Sequence, residues 1–208
     1  MRSAPTFTET ARRAQLVGCA IDAIAELGYG KASVRKIAER ADVAMSVVLY
    51  HFGNKDELVT AVVGECYRSL VAAMLPVVSA ADGAAAKLAA HIRCHIDYID
   101  THRGHQLALM EIANNFRTGD GRRLHEAGLQ IPPELLADLA TIELDTILAD
   151  GVESGEFRSL PTTSLALAIR SAIGGAMLPA TADPDFDVRA YGEDLVHTFL
   201  LATQPTQT

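Results

Sequence analysis

Apolar residues recur every three or four positions along almost the whole chain, and nowhere do they alternate over the length of a strand. Leu16, Val17, Ala20, Ile21, Ile24 and Leu27 predict a first helix, opened by the capping box Thr6-Phe7-Thr8-Glu9 and closed by Gly28 and Gly30. Ser33 is an N-cap type, and Val34, Ile37 and Ala38 follow it at helical spacing. Ala41-Asp42-Val43 then breaks the helix, with Asp42 at the sharp turn because aspartate tolerates a left-handed backbone. A second short helix is predicted over 44–51, and an Asn54-x-x-Glu57 capping box opens a long one over 54–75, ending before Pro76. Its apolar stripe is Leu58, Val62, Cys66, Leu70 and Met74. Further helices are expected over 84–101, 104–117, 134–150, 162–178 and 187–202, with turn or loop at 119–121 and 151–161. About nine helices and no strand make the chain all-α.

Composition supports this, since Ala and Leu abound, Trp is absent and aromatics are few. The net charge of −8 argues at first against nucleic acid. Its distribution changes the picture. Residues 1–56 carry eight Lys/Arg against six Asp/Glu (+2), whereas 57–208 carry ten against twenty (−10). A mildly basic head on an acidic body suits a protein that presents one end to DNA. Cys19, Cys66 and Cys94 are far apart and odd in number, the usage of a reduced compartment. No signal-peptide core and no run approaching a membrane span are read, so a soluble cytoplasmic protein with no membrane partner is expected.

The stretch 33–58 has the form of a helix-turn-helix, two short helices about a tight turn, the second exposing side chains. Gly28-Tyr29, Ser33-Val34-Arg35-Lys36-Ile37-Ala38, Ala41 with Val43, Tyr50-His51-Phe52 and Lys55-Asp56-Glu57-Leu58 stand in order at matching spacing. Over about the first 60 residues the chain thereby resembles the TetR family of one-component transcriptional regulators. Four positions depart from the family pattern: Asp42 for the turn Gly, Ala44 for the cap Ser/Thr, Ser46 for a small Gly, and Leu49 for the first of an aromatic pair. The resemblance implies a three-helix DNA-binding domain in 1–53 and a helical ligand-binding and dimerisation domain in 54–208. It further implies a homodimer through the last two helices, on a pseudo-palindromic double-stranded operator released by a small-molecule inducer. The most direct role is that of a repressor. The helix 54–75 joins the reading head to everything downstream and is the expected mechanical link.

Candidate DNA-binding residues follow from their places. Ser33 offers a hydroxyl and an amide to phosphate, and Arg35 and Lys36 supply charge one turn in. Met45, Ser46 and Val47 stand at the front of the recognition helix, where base edges are reached, and favour contact with thymine methyls. Tyr50, His51 and Lys55 match family positions that hold the DNA backbone.

A second constellation is His91, His95, Tyr98 and His102, spaced i, i+4, i+7 and i+11 on one helix face. By the resemblance this helix walls an inducer cavity, joined by Met110, Asn114 and Phe116 from the next. Satisfied structural histidines are an equally open reading. A metal site is the weak one, because Cys94 lies on another flank and nothing completes a tetrahedral set. No Gly-x-Ser-x-Gly, phosphate-binding Gly loop or His-Glu-x-x-His is present, so neither an enzyme nor a cofactor is expected. A helical ligand- or metal-binding protein that no longer reads DNA, and an activator, remain the alternatives.

Overall fold

The structure is a computed structural model and describes residues 6–118, 121–124, 126, 133–183 and 185–205, with the backbone alone at 133 and 134. Among the described residues there are eleven helical segments and no strand. They are α1 (Phe7–Leu27), α2 (Val34–Arg40), α3 (Met45–Phe52), α4 (Lys55–Ala80), α5 (Ala84–Thr101) and α6 (Arg103–Asn115). Then come α7 (Pro133–Ile142), α8 (Leu144–Glu153), α9 (Thr162–Gly175), α10 (Met177–Ala182) and α11 (Val188–Thr203). The turn expected at 119–121 falls largely outside the described residues.

Three boundaries depart from expectation, two of them at prolines. The long helix runs through Pro76 to Ala80. Proline cannot donate to the carbonyl four residues back, but Ala72 and Pro76 both face solvent, where that carbonyl is open to water. Met74 and Val78 stay buried on the other side. The stretch expected as one helix over 162–178 breaks at Ala176, where Pro179 removes the N–H that would bond the carbonyl of Gly175. The stretch 134–150 is likewise two helices, parted at Glu143.

The chain packs into two compact units. The first comprises Met1–Tyr67 with Gly104–Gln130. Its core joins Leu16, Ala20, Ile24, Ile37, Val48 and Phe52 of the first three helices to Leu58 and Val62 of α4 and to Ala108 and Ile112 of α6. These units cut the chain elsewhere than the expected 53/54 division. Tyr29 is a knot within this unit. Its N–H donates to Glu111 Oε2 at 3.0 Å, its carbonyl accepts from Lys55 Nζ at 2.9 Å, and its ring meets the Phe116 edge at 6.1 Å. Gly28 precedes it at φ +80°, where a Cβ would stand 3.3 Å from the Glu111 carboxylate.

The second unit comprises Arg68–Arg103 with Ile131–Thr208. Within it α5 packs against α8, α9 and α11, burying Leu88, Ile92, Ile96 and Ile99. Gly192 lets α11 approach closely, since a Cβ there would come within 2.9 Å of Ile96. The Glu156 carboxylate caps α5 by accepting from the N–H groups of Ala84 (2.6 Å) and Ala85 (2.9 Å). Arg158 closes α11, its Nε donating to the Ala202 carbonyl at 2.8 Å.

Two stretches, Lys55–Ala80 and Thr162–Ala182, are long and apolar enough to cross a membrane, where the sequence reading found no such run. Glu65 and Arg68 interrupt the first stretch and Arg170 the second, and a span tolerates one or two charges. Part of each stretch is buried within the protein.

The cap and the close packing beside it give a test. Glu156→Ala should cost about 1 kcal/mol by stripping the first turn of α5 of its acceptor. Gly151→Ala should cost roughly 1–3 kcal/mol by overpacking, because the added Cβ would meet Phe157 at 2.2 Å. Thermal melts of the two variants check both, and a wild-type midpoint in either would remove that contact from the account of stability.

Candidate nucleic-acid interface

The helix-turn-helix is built by local chemistry. Ser33 Oγ accepts from the Lys36 N–H at 3.3 Å and starts α2, seven residues long. Asp42 takes φ 52°, the left-handed turn expected of it, and the Val43 N–H returns to the Ala38 carbonyl at 3.0 Å. Ala44 begins α3 with no side-chain cap. Val48 and Phe52 are buried, while Gly53 at φ 70° ends the helix with its N–H on the Leu49 carbonyl at 2.7 Å.

The C-terminal end of α3 is held from α1. Arg13 Nη1 donates to the His51 carbonyl at 2.6 Å, and its guanidinium lies 4.2 Å from the centre of the Phe52 ring. A cation at a helix C-terminus is favourable because the unpaired carbonyls there carry partial negative charge. Nothing in the sequence marks this bond, since its partners are 38 positions apart.

The expected contact residues divide into three groups. Ser33, Arg35, Lys36, Met45, Ser46 and Tyr50 are exposed, Tyr50 to 75%. Tyr50 therefore does not pack beneath the turn. Val47 and His51 are half-buried on the flanks of α3, and Leu49, absent from the expected set, takes the open position between Met45 and Tyr50. A helical wheel would have found it. Lys55 is turned inward, its ammonium on the Tyr29 carbonyl and 4.2 Å from the centre of the Tyr29 ring, and burial lowers its pKa. Arg35 pairs with Glu39 at 2.8 Å on the surface.

The members of the second constellation are divided between the two units. His91 and His95 lie edge to face at 5.9 Å, and Tyr98 stacks on His102 at 4.4 Å, all within the second unit. Met110, Asn114 and Phe116 belong to the first unit, where Met110 and Asn114 are exposed and Phe116 is core. His91 has a structural partner. Its Nδ1 donates to the Ile142 carbonyl at 2.8 Å, at the break between α7 and α8. Burial, and then the neighbouring His95, push the His91 pKa down to about 3, and burial brings His95 to about 4. An open groove of about 340 Å³ lies elsewhere in this unit, between α5 and α11. Its charges satisfy one another, Arg93 with Glu193 at 2.6 Å and Arg189 with Asp97 at 3.1 Å. Among the described residues no three His, Cys, Asp or Glu side chains cluster as metal ligands do.

A capped pair of short helices about a left-handed turn, with the outer face of the second left open, is the reading head of a helix-turn-helix DNA-binding regulator. The model of bacterial regulatory proteins of the tetR family matches residues 18–62. Over those residues the chain is similar to the DNA-binding part of the tetR family. The fatty acid metabolism regulator protein of Bacillus subtilis is 28% identical over 147 residues, which are 69% of this chain and 70% of that protein. The regulator BetI of Burkholderia thailandensis is 33% identical over 87 residues, spanning 45% of its own length. The crystal structure of FadR from Bacillus subtilis in complex with stearoyl-CoA shares the fold, with a TM-score of 0.72 over 90% of this chain and 97% of that one at 24% identity.

The buried histidines set a pH dependence. Each is neutral in the folded protein down to about 3 or 4, whereas an unfolded histidine binds a proton below about 6.5. The unfolded state thus binds more protons throughout that window, so stability should fall as pH drops from about 6.5 toward 4. Melting temperature against pH checks this. The slope should flatten in a His91→Gln, His95→Gln double variant, and an unchanged slope would take these histidines out of the acid response.

Proposed function

We propose that this protein is a ligand-responsive repressor that binds a pseudo-palindromic operator as a homodimer. The observation that carries the reading is the head itself, with exposed cations beside the start of α2 and the open face of α3 held at both ends. In this reading residues 1–53 read DNA and 54–208 bind ligand and dimerise. Arg35, Lys36 and Tyr50 meet phosphate while α3 meets the bases. Lys55, engaged on Tyr29, orients the turn before α2 and leaves phosphate to the others. As a DNA-binding regulator of a bacterial family it would work in the cytoplasm.

The dimer is assigned to α9 and α11. Along α9, Ser164, Leu167, Ala168, Ser171 and Gly174 share one exposed face, with Leu167 64% exposed, and Leu178 (78%) continues it in α10. Small residues flanking exposed leucines allow two such helices to approach closely. Leu201 on α11, 52% exposed, adds to the apolar surface.

Similarity to the Bacillus subtilis fatty acid metabolism regulator makes a fatty acyl thioester the first ligand class to examine. The ligand would act through its different affinity for the operator-bound and released states. Titration of the protein–operator complex with stearoyl-CoA, read by fluorescence anisotropy, tests this. Release at micromolar ligand is expected, and indifference up to saturating ligand would reject that class.

Two variants probe the DNA side. Lys36→Ala should weaken binding to all sequences alike and reduce the salt slope by about 1. Glu39→Gln should tighten binding several-fold by freeing Arg35 from its ion pair. A changed base preference in either variant would mean that the sorting into phosphate and base contacts is wrong. For the dimer, Leu167→Arg should give a monomer in sedimentation, and an intact dimer would move the interface elsewhere.

A further inference from the structure

Successive residues of a helix turn by about 100°, and the eight residues of α3 sort by exposure accordingly. Val48 and Phe52 point inward, Val47 and His51 lie on the flanks, and Met45, Ser46, Leu49 and Tyr50 form the open arc. Met45 (49% exposed) and Leu49 (37%) are one turn apart and make an apolar ridge. Ser46 and Tyr50, also one turn apart, place two hydroxyls beside it.

The whole helix, MSVVLYHF, contains no Arg, Lys, Asn, Gln, Asp or Glu. Those are the side chains that read guanine and adenine by paired hydrogen bonds, or accept from cytosine. A helix lacking all of them must discriminate bases by other means. In the major groove the one feature that an apolar ridge complements is the 5-methyl group of thymine. The ridge is also ready for it. Its inner face is anchored by Val48 and Phe52, and its far end is fixed by Arg13, so covering a methyl group needs no refolding of α3.

We propose that the operator is read chiefly as a pattern of thymine methyl groups by Met45 and Leu49, with Leu49 a specificity-determining residue. The inference rests on the DNA-reading function proposed above. Ser46 and Tyr50 add single hydrogen bonds that orient the helix without distinguishing most bases. The departure at Leu49 from an aromatic residue then has a consequence: a flexible aliphatic chain fits against a methyl group where a flat ring would span the groove floor.

The test uses the full-length protein and a duplex selected by it from a random pool. Thymines within the selected half-sites are replaced by uracil, one at a time and then in both halves together, and the same replacement is made in the flanks as a control. Losing one contacted methyl should weaken binding about fourfold, and losing one in each half-site about fifteenfold, with no effect from the flanks. Leu49→Ala protein should lose most of its discrimination between the thymine and uracil duplexes while keeping its salt slope. Equal affinity of wild-type protein for both duplexes would overturn the inference, as would a selected site whose affinity depends on guanine N7 instead. A pool with no enriched sequence would fail one step earlier, overturning operator reading itself and this inference with it.

Discussion

An eight-residue helix has no stability of its own in water, because nucleating its first turn costs more than so few bonds return. α3 is such a helix. It exists because Val48 and Phe52 are buried, because Asp42 reverses the chain before it, and because Gly53 and Arg13 hold its end. The stance of the open arc of α3 depends on how firmly those three constraints fix two turns of backbone. The same unit carries the knot at Tyr29, where α6 supplies Glu111 and Phe116 and α4 supplies Lys55. Residues far along the chain thus help to define the surface that reads bases.

In the second unit, polar side chains serve mainly to join helices. His91 holds the break between α7 and α8, Glu156 caps α5, Arg158 closes α11, and Tyr191 bonds the Ala172 carbonyl of α9 at 2.7 Å. A buried polar group with a partner specifies an arrangement, since any other arrangement would leave it unpaired. The histidine stripe illustrates the point. Periodicity puts these side chains on one face, and that face also fastens a carbonyl exposed by a helix break that the pattern does not disclose.

The local chemistry was legible in the chain. The capping box at Thr6, the caps at Ser33 and Asn54 and the left-handed Asp42 are each decided by residues within four positions of one another. Helix ends near proline were less so. Whether Pro76 stops a helix depends on whether Ala72 faces water, which is a tertiary fact. Ser33, Arg35, Lys36, Met45, Ser46 and Tyr50 are exposed as their places imply, whereas Lys55 is turned inward by Tyr29, and Leu49 takes the open arc where Val47 is half-buried. Phe116 went to the core of the first unit for the same reason: an aromatic residue at a helix end packs wherever a partner ring waits, here Tyr29. Long-range partners such as Arg13 with His51 leave no local trace.

The missing hydrogen bond at Pro76 makes α4 mechanically uneven. From Lys55 to about Ala72 the ladder is unbroken and the helix behaves as a stiff rod. Past that point one rung is absent on the solvent side, and bending costs less there than anywhere else along its length. The last turn of α4, beyond Pro76, is therefore the part of the helix that flexes most readily.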